Sequence, residues 1–317
     1  MKKINMVDLQ GQYKKIRSEV NTEIKKVLKS ATFINGPIVK EFELNLKDFL
    51  GTKNVIPCAN GTDALQVALM SLGVEKGDEV ITTNFSFAST IEVILLLGLK
   101  PILVDIDPKT FNIDPTMIEK RITNKTKAII PVHLYGQSCR MNEIMEIAKR
   151  NKLFVIEDNA QALGSKVKLS NSTKVMSGTI GDIGTTSFFP SKNLGGYGDG
   201  GAIFTNSDDL ALKIRGIVNH GMYERYYHDE IGVNSRLDSI QAAILNVKLK
   251  YLNVYNNRRI DAANDYNSRL ESINEIEIPY IESSTDSHIF HQYTIKVKNG
   301  KRDKLAEFLS SKEIPYG

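Results

Sequence analysis

The stretch GDIGTTSFFPSKNLGGYGDGGA, residues 181–202, joins a β-rich run to a lysine two residues after a proline, and then to Gly195, Gly196, Gly198, Gly200 and Gly201. Thr185 to Phe188 predicts a strand, and Gly201 to Thr205 predicts a second one. A lysine in an ordinary surface loop is the plain alternative. Glycines, however, carry no bulk and permit backbone conformations closed to other residues, so the pattern predicts Lys192 at a strand end beside a tightly approached ligand. Desolvation there lowers an amine's pKa and readies it to form a Schiff base with an aldehyde.

Outward from this stretch, residues 53–205 alternate β-rich runs with helical patterns. The runs are Val55–Cys58, Glu79–Thr83, Pro101–Asp105, Ala128–Val132, Phe154–Glu157, Thr185–Phe188 and Gly201–Thr205. Most are continuously apolar, the mark of strands covered on both faces. Amphipathic segments at 62–72, 88–98, 115–122 and 140–150 have the length of crossover helices. The fold class expected is therefore α/β, with a large and mostly parallel seven-stranded sheet. Loops leaving the strands' carboxyl ends form the ligand site of such sheets. Asn60–Thr62, Asn84–Ser89, His133–Gly136 and Asp158–Gln161 all fall there.

Before residue 50 two helices are expected, 12–30 and 38–50, broken at FINGP (33–37). A helix over Ser207–Asn219, a long polar loop over 221–234 and a helix over Ser235–Leu252 follow. A further helix at 254–272 then leads to a strand at His291–Val297, a turn at Asn299-Gly300 and a helix ending at Lys312. The expected domains are a large one over 1–250 and a small C-terminal α+β domain over 251–317, which reads as incomplete. Glu313–Gly317 resembles the start of a strand.

Composition narrows the function. Lys and Arg total 41 against 37 Asp and Glu, and the net charge of +4 is scattered rather than gathered into a stripe, which argues against nucleic acid as a partner. Pairs such as Arg258-Arg259 read as solvated helix faces. The start MKKINMVDLQGQY has no apolar run behind its lysines, and no segment reaches the length of a membrane span. The greasiest stretch, IEVILLLGL at 91–99, reads as a helix packed on the sheet. Cys58 and Cys139 lie in interior segments without a Cys/His cluster, which fits free thiols in the cytoplasm and no metal site. Dinucleotide and Walker signatures are missing.

If the aldehyde is pyridoxal phosphate, a carboxylate must pair with its ring nitrogen and donors must bind its phosphate. Asp158 ends the apolar strand in VIEDNAQALG. It serves either as a helix cap or as the partner that keeps the ring protonated and electron-accepting. Gly61-Thr62-Asp63 opens a helix, whose free amides and dipole suit a dianion; many α/β proteins start helices this way without a ligand. Ser187 adds a hydroxyl from the strand leading to Lys192.

Four separated segments together resemble the DegT/DnrJ/EryC1/StrS family of sugar aminotransferases, which are fold-type I pyridoxal phosphate enzymes. They are ANGTDAL (59–65), VIEDNAQALG (155–164), SFFPSKNLGGYGDGGAIFTN (187–206) and GVNSRLDSIQAAIL (232–245). The resemblance implies that Lys192 carries the cofactor and shuttles a proton, that Asp158 pairs with the ring nitrogen, and that Gln161 lies by the ring hydroxyl. Gly61, Thr62 and Ser187 would hold the phosphate, with Asn234 reaching over from the other subunit of a homodimer. Phe87, in FSFAST, would stack on the ring; a core phenylalanine is the other reading. His133 and Tyr135, in VHLYGQ, would flank the pocket, and His220, Tyr227 and Arg236 would face the substrate.

The family's dehydratase branch replaces the lysine by histidine, so Lys192 favours transamination. Segments 220–238 and 60–90 resemble enzymes that aminate C3 of a nucleotide-linked 3-keto sugar with glutamate as donor. Examples are UDP-2-acetamido-3-oxo-glucuronate and a dTDP-3-keto-6-deoxyhexose. Amination at C4, another pyridoxal phosphate reaction, or a cofactor-binding homologue without turnover are the alternatives. The family continues beyond the equivalent of Gly317 through a His-Tyr-Pro segment, which makes the chain read as truncated.

Overall fold

The computed structural model describes residues 4–282 and 287–317. Its helices are α1 (Leu9–Ser30), α2 (Pro37–Leu50), α3 (Gly61–Ser71), α4 (Ser89–Leu96), α5 (Pro115–Ile118), α6 (Met141–Asn151), α7 (Asp208–Ile217), α8 (Ser239–Leu249), α9 (Leu252–Leu270) and α10 (Arg302–Ser311). The strands that build the central sheet and its flanks are β1 (Asn54–Cys58), β2 (Glu79–Thr83), β3 (Lys100–Val104), β4 (Thr126–Ile130), β5 (Phe154–Asp158), β6 (Lys166–Lys168), β7 (Lys174–Met176), β8 (Ile183–Ser187) and β9 (Gly201–Thr205). Short pairs follow: β10 (Met222–Glu224) with β11 (Tyr227–His228), and β12 (Ile276–Glu277) with β13 (Lys296–Val297).

Seven strands form one sheet in the order β1-β9-β8-β5-β4-β2-β3. Neighbours are parallel except at β9, which runs antiparallel to both β1 and β8. The apolar runs explain the layering. Side chains alternate across a strand, so Val80, Ile130, Ile156 and Ile203 face α3 and α7, while Ile81, Ile129 and Val155 face α6. Val55, Ala202 and Phe204 pack under α2 and α8. Each such buried aliphatic chain contributes roughly 1.5–3 kcal/mol.

Several expectations need correcting. The edge strand β3 is not covered on both faces, because Leu103 stays exposed. On α4, Val93 and Ile94 meet the sheet while Leu95 and Leu96 are 58% and 70% exposed, so the greasy stretch has a second, uncovered face. The polar loop at 221–234 contains the β10–β11 hairpin. The helix expected from Ser235 begins at Ser239. Ser235 is tied into non-helical contacts, its amide donating to Val218 and its hydroxyl accepting from Ala59. The hairpin β6–β7 had no signal in the sequence reading.

Of the strand expected at 291–297, only Lys296–Val297 pairs, with Ile276–Glu277. Residues 289–292 instead bond to the 135–136 loop: the Ile289 amide donates to Gly136 O and that of Gln292 to Tyr135 O. Residues 313–317 contain no strand. Arg259 is not a solvated residue, since it donates to the carbonyls of Phe290 and His291. Among the described residues no helix is long and apolar enough to cross a membrane.

Candidate active site

The carboxyl ends of β5 and β8 and the start of α3 bring the central residues together. Asp158 closes β5, Ser187 closes β8, and Gly61 opens α3 with Asn60 as cap, its Oδ1 accepting from the Asp63 amide at 2.8 Å. A Cβ at Gly61 would lie 2.7 Å from that of Ser187, so only glycine lets the helix start touch the strand end. The amides of Gly61 and Thr62 have no intrahelical acceptor, and the Ser187 hydroxyl lies close to Gly61, 3.3 Å from where its Cβ would be, an arrangement suited to a phosphate.

Asp158 is buried. Its Oδ2 accepts from the Thr90 hydroxyl at 2.9 Å and its Oδ1 from the Ala160 amide at 3.2 Å. Burial pushes the Lys192 amine below the usual lysine range, against the pull of the Asp158 charge. Among the described residues that amine has no hydrogen bond or ion pair. Gln161 Oε1 accepts from the Tyr135 amide at 2.7 Å, which leaves its NH2 group for a ligand. Tyr135 adopts φ 57° and its ring joins Phe85 and Phe111. Phe87 is 70% exposed, which rules out the core reading.

The glycines after Lys192 serve a different purpose from the one the sequence suggested. Two of them, Gly196 and Gly198, give room to α8, while Gly195 packs on the Pro190 carbonyl, Gly200 on Leu237 and Gly201 on the Asn60 carbonyl. Added Cβ atoms at Gly196 and Gly198 would each lie 2.8 Å from the Gln241 amide, whose oxygen accepts from the Tyr197 amide. Lys248, 1% exposed, donates to the Gly195 carbonyl. The loop is wrapped around two side chains of one helix, which fixes where Lys192 emerges.

His133 does not flank the pocket. Its side chain is fully buried, Nδ1 accepts the Cys139 amide at 3.0 Å, and Nε2 therefore carries the proton shared with Glu157 at 2.9 Å. Glu157 also accepts from the amides of Gly178, Ile180 and Gly181. That network ties β5 to the loop before β8 and leaves the ring no exposed surface. Both ring nitrogens being occupied internally is invisible in sequence.

His220, Tyr227, Asn234 and Arg236 lie on a separate region, and among the described residues no hydrogen bond or ring contact joins them to Lys192. Asn234 is exposed and bridges Asn219. Arg236 donates to Asn219 Oδ1 at 2.8 Å and lines a cavity of about 300 Å³ with Asn35, Glu43 and Arg215. His220 and Tyr227 are exposed beside and on the β10–β11 hairpin.

Sequence reasoning missed Thr90, whose place in the first turn of α4 gave no hint of a bond to Asp158. It also missed the pair Asn193 and Asn256. Asn193 Nδ2 donates to Asn256 Oδ1 at 2.7 Å, so the residue after Lys192 is fastened to α9. A half-buried amine, a fixed carboxylate, a free amide donor and an anion socket match the four attachment points of pyridoxal phosphate: aldehyde, ring nitrogen, ring hydroxyl and phosphate.

Comparison with known proteins agrees with this geometry. The sequence pattern of the DegT/DnrJ/EryC1/StrS aminotransferase family matches residues 14–316. The chain is 47% identical over 312 residues to a "Pleiotropic regulatory protein" of Geobacillus stearothermophilus, covering 98% of this chain and 82% of that one. It is 46% identical over 312 residues to UDP-2-acetamido-2-deoxy-3-oxo-D-glucuronate aminotransferase of Pseudomonas aeruginosa, covering 98% and 84%. The crystal structure of S. venezuelae DesV in complex with a ketimine intermediate superposes with a TM-score of 0.94 at 34% identity, covering 99% of this chain and 83% of that one.

Proposed function

The chain belongs to the DegT/DnrJ/EryC1/StrS aminotransferase family, and from that premise we propose that it moves an amino group from glutamate to C3 of a nucleotide-linked keto sugar. It is a pyridoxal-phosphate-dependent aminotransferase of fold-type I architecture, with a large mostly parallel sheet and a smaller C-terminal α+β part. UDP-2-acetamido-3-oxo-glucuronate is the substrate the Pseudomonas relative's name supports; a dTDP-3-keto-6-deoxyhexose has the same reacting group.

When bound, pyridoxal phosphate supplies an aldehyde that takes up amines and a ring that accepts the electrons released at the donor's Cα. The residues do the rest. Asp158, held by Thr90 and Ala160, sets a fixed negative charge against the ring nitrogen. Gly61, Thr62 and Ser187 would hold the phosphate, the Gln161 amide would donate to the ring hydroxyl, and Phe87 would cover the ring face. Lys192 tethers the cofactor. Its amine, when free, would lift the donor's Cα proton and, in the second half, return a proton to the sugar carbon. One group already in place serves as leaving group and as acid and base.

The exposed Leu95 and Leu96, together with Phe87, support a homodimer, in which Asn234 reaches the partner's phosphate site. The observation that carries the proposal is the half-buried amine of Lys192, without a hydrogen bond or ion pair among the described residues, within the field of the buried Asp158 carboxylate. A spectral titration of cofactor-loaded protein tests it. Glutamate should bleach the cofactor band, and a nucleotide-linked 3-keto sugar should restore it. Recovery only with a 4-keto sugar moves the reaction to C4. No bleaching by glutamate supports a second reading, a cofactor-binding homologue without turnover, which the regulatory name of the Geobacillus relative favours.

A further inference from the structure

A directed chain of hydrogen bonds runs through Asn193, the residue after Lys192, and ends at His291. It starts at the buried carbonyl of Leu163, which only accepts, so Asn256 must present Nδ2 to it, at 3.2 Å. Asn256 Oδ1 then accepts from Asn193 Nδ2 at 2.7 Å, and Asn193 must show its oxygen to the next member. That member is His291 Nδ1, 3.2 Å away, which therefore carries the ring proton. The tautomer is set by a carbonyl three links away. Nε2 is left with its lone pair and, among the described residues, with no partner.

The imidazole also stays uncharged. Burial lowers its pKa to about 3, and the cations that face it, Lys192 from the loop after β8 and Arg259 from α9, push the same way. The backbone is pinned as well: a Cβ on Gly136 would lie 2.7 Å from the His291 amide nitrogen, and Arg259 holds the His291 carbonyl at 3.1 Å. A neutral acceptor is thus fixed within electrostatic reach of an amine that has no hydrogen bond among the described residues.

We propose that His291 is a positioning residue for Lys192, its Nε2 lone pair accepting a hydrogen bond from the lysine amine and holding that amine in place while it carries its proton. The proposal rests on Lys192 being the working amine of the aminotransferase site. The contact is open to the Lys192 amine whenever that amine is free, in cofactor-free protein and, during turnover, in the loaded site, where hydrogen bonds at the reacting group tighten as ligands bind.

The test compares full-length wild type, His291→Phe and His291→Gln. Phenylalanine keeps the ring and removes both nitrogens. Glutamine offers an N–H to Asn193 and an oxygen to the amine. In cofactor-free protein, the pH dependence of Lys192 acetylation by acetic anhydride, read by peptide mass spectrometry, reports the amine's own pKa. It should fall by about half a unit or more in His291→Phe, since the ammonium loses an acceptor, and recover in His291→Gln. In cofactor-loaded protein, kcat should fall about tenfold in His291→Phe with KM for glutamate within about twofold, again rescued by glutamine.

Identical acetylation profiles in all three proteins, or a glutamine variant as impaired as phenylalanine, overturn the proposal. Should the phenylalanine variant not fold, ¹⁵N-histidine spectra of wild type decide. The expected His291 signals show a protonated Nδ1 and a bare Nε2, unchanged between about pH 5 and 9. A titrating ring or the opposite tautomer overturns it. Acetylation and spectra need no turnover, so failure of the proposed reaction is read separately.

Discussion

The Thr90 hydroxyl donates to Asp158 Oδ2 at 2.9 Å inside the protein, while Ser86 Oγ stands 3.0 Å from the same hydroxyl. This bond aims the carboxylate, and a charge-assisted bond of this kind is worth about 1.5–3 kcal/mol. Thr90→Val keeps the shape and removes the donor. Cofactor affinity should drop about tenfold or more, and Thr90→Ser should restore most of it. Cofactor release measured by absorbance on dilution checks this, and equal affinities in all three proteins would remove Thr90 from the site.

His133 should matter for stability and not for substrate. Replacing it by leucine leaves Glu157 without its ring partner and strands the Cys139 amide, a loss of about 2–4 kcal/mol. The denaturant midpoint should fall. In protein that remains folded at low temperature, KM for both substrates should stay within about twofold. A raised KM with unchanged stability would return His133 to the pocket wall.

Phe87 presents the opposite case. Being 70% exposed, its ring adds little to the core. Phe87→Ala should leave the cofactor-free melting temperature unchanged and weaken cofactor binding by about fivefold to tenfold, the value of about 1 kcal/mol for ring stacking. Equal cofactor affinity would exclude the stacking role.

How far the sequence could be read depended on the range of the interaction. The buried strands were legible because Val80-Ile81 and Ala128-Ile129-Ile130 show their burial in a few consecutive residues. Lys192 and Asp158 were legible as chemistry at strand ends. What escaped was set by distant partners: Gly196 and Gly198 fit around Gln241, more than forty residues on, a contact that the run of glycines does not announce. His291 looked like one strand residue among several, because its meaning depends on Asn193 and Asn256, each remote in sequence. Leu95 and Leu96 looked like core because hydropathy does not say which face of α4 meets the sheet.

Lys248 supplies the pH signature. Burial lowers its pKa from 10.5 to about 8 while its ammonium donates to the Gly195 carbonyl. A folded pKa below the unfolded one means that, between those values, the unfolded chain binds the proton and the native chain does not. Stability from this group is therefore greatest above about pH 10.5 and is lost as pH falls toward about 8, below which it is level. Many other groups titrate in that window, so the informative quantity is the difference between wild type and Lys248→Met. As pH rises from about 8 to 10, wild type should gain on the variant by an amount on the order of a few kcal/mol. Chemical denaturation at closely spaced pH values measures it. Over the same interval kcat should fall faster in wild type than in the variant, because a neutral Lys248 releases its hold on the Gly195 loop and so on the emergence of Lys192. Parallel stability curves for the two proteins would show that the amine reaches solvent and does not clamp the loop.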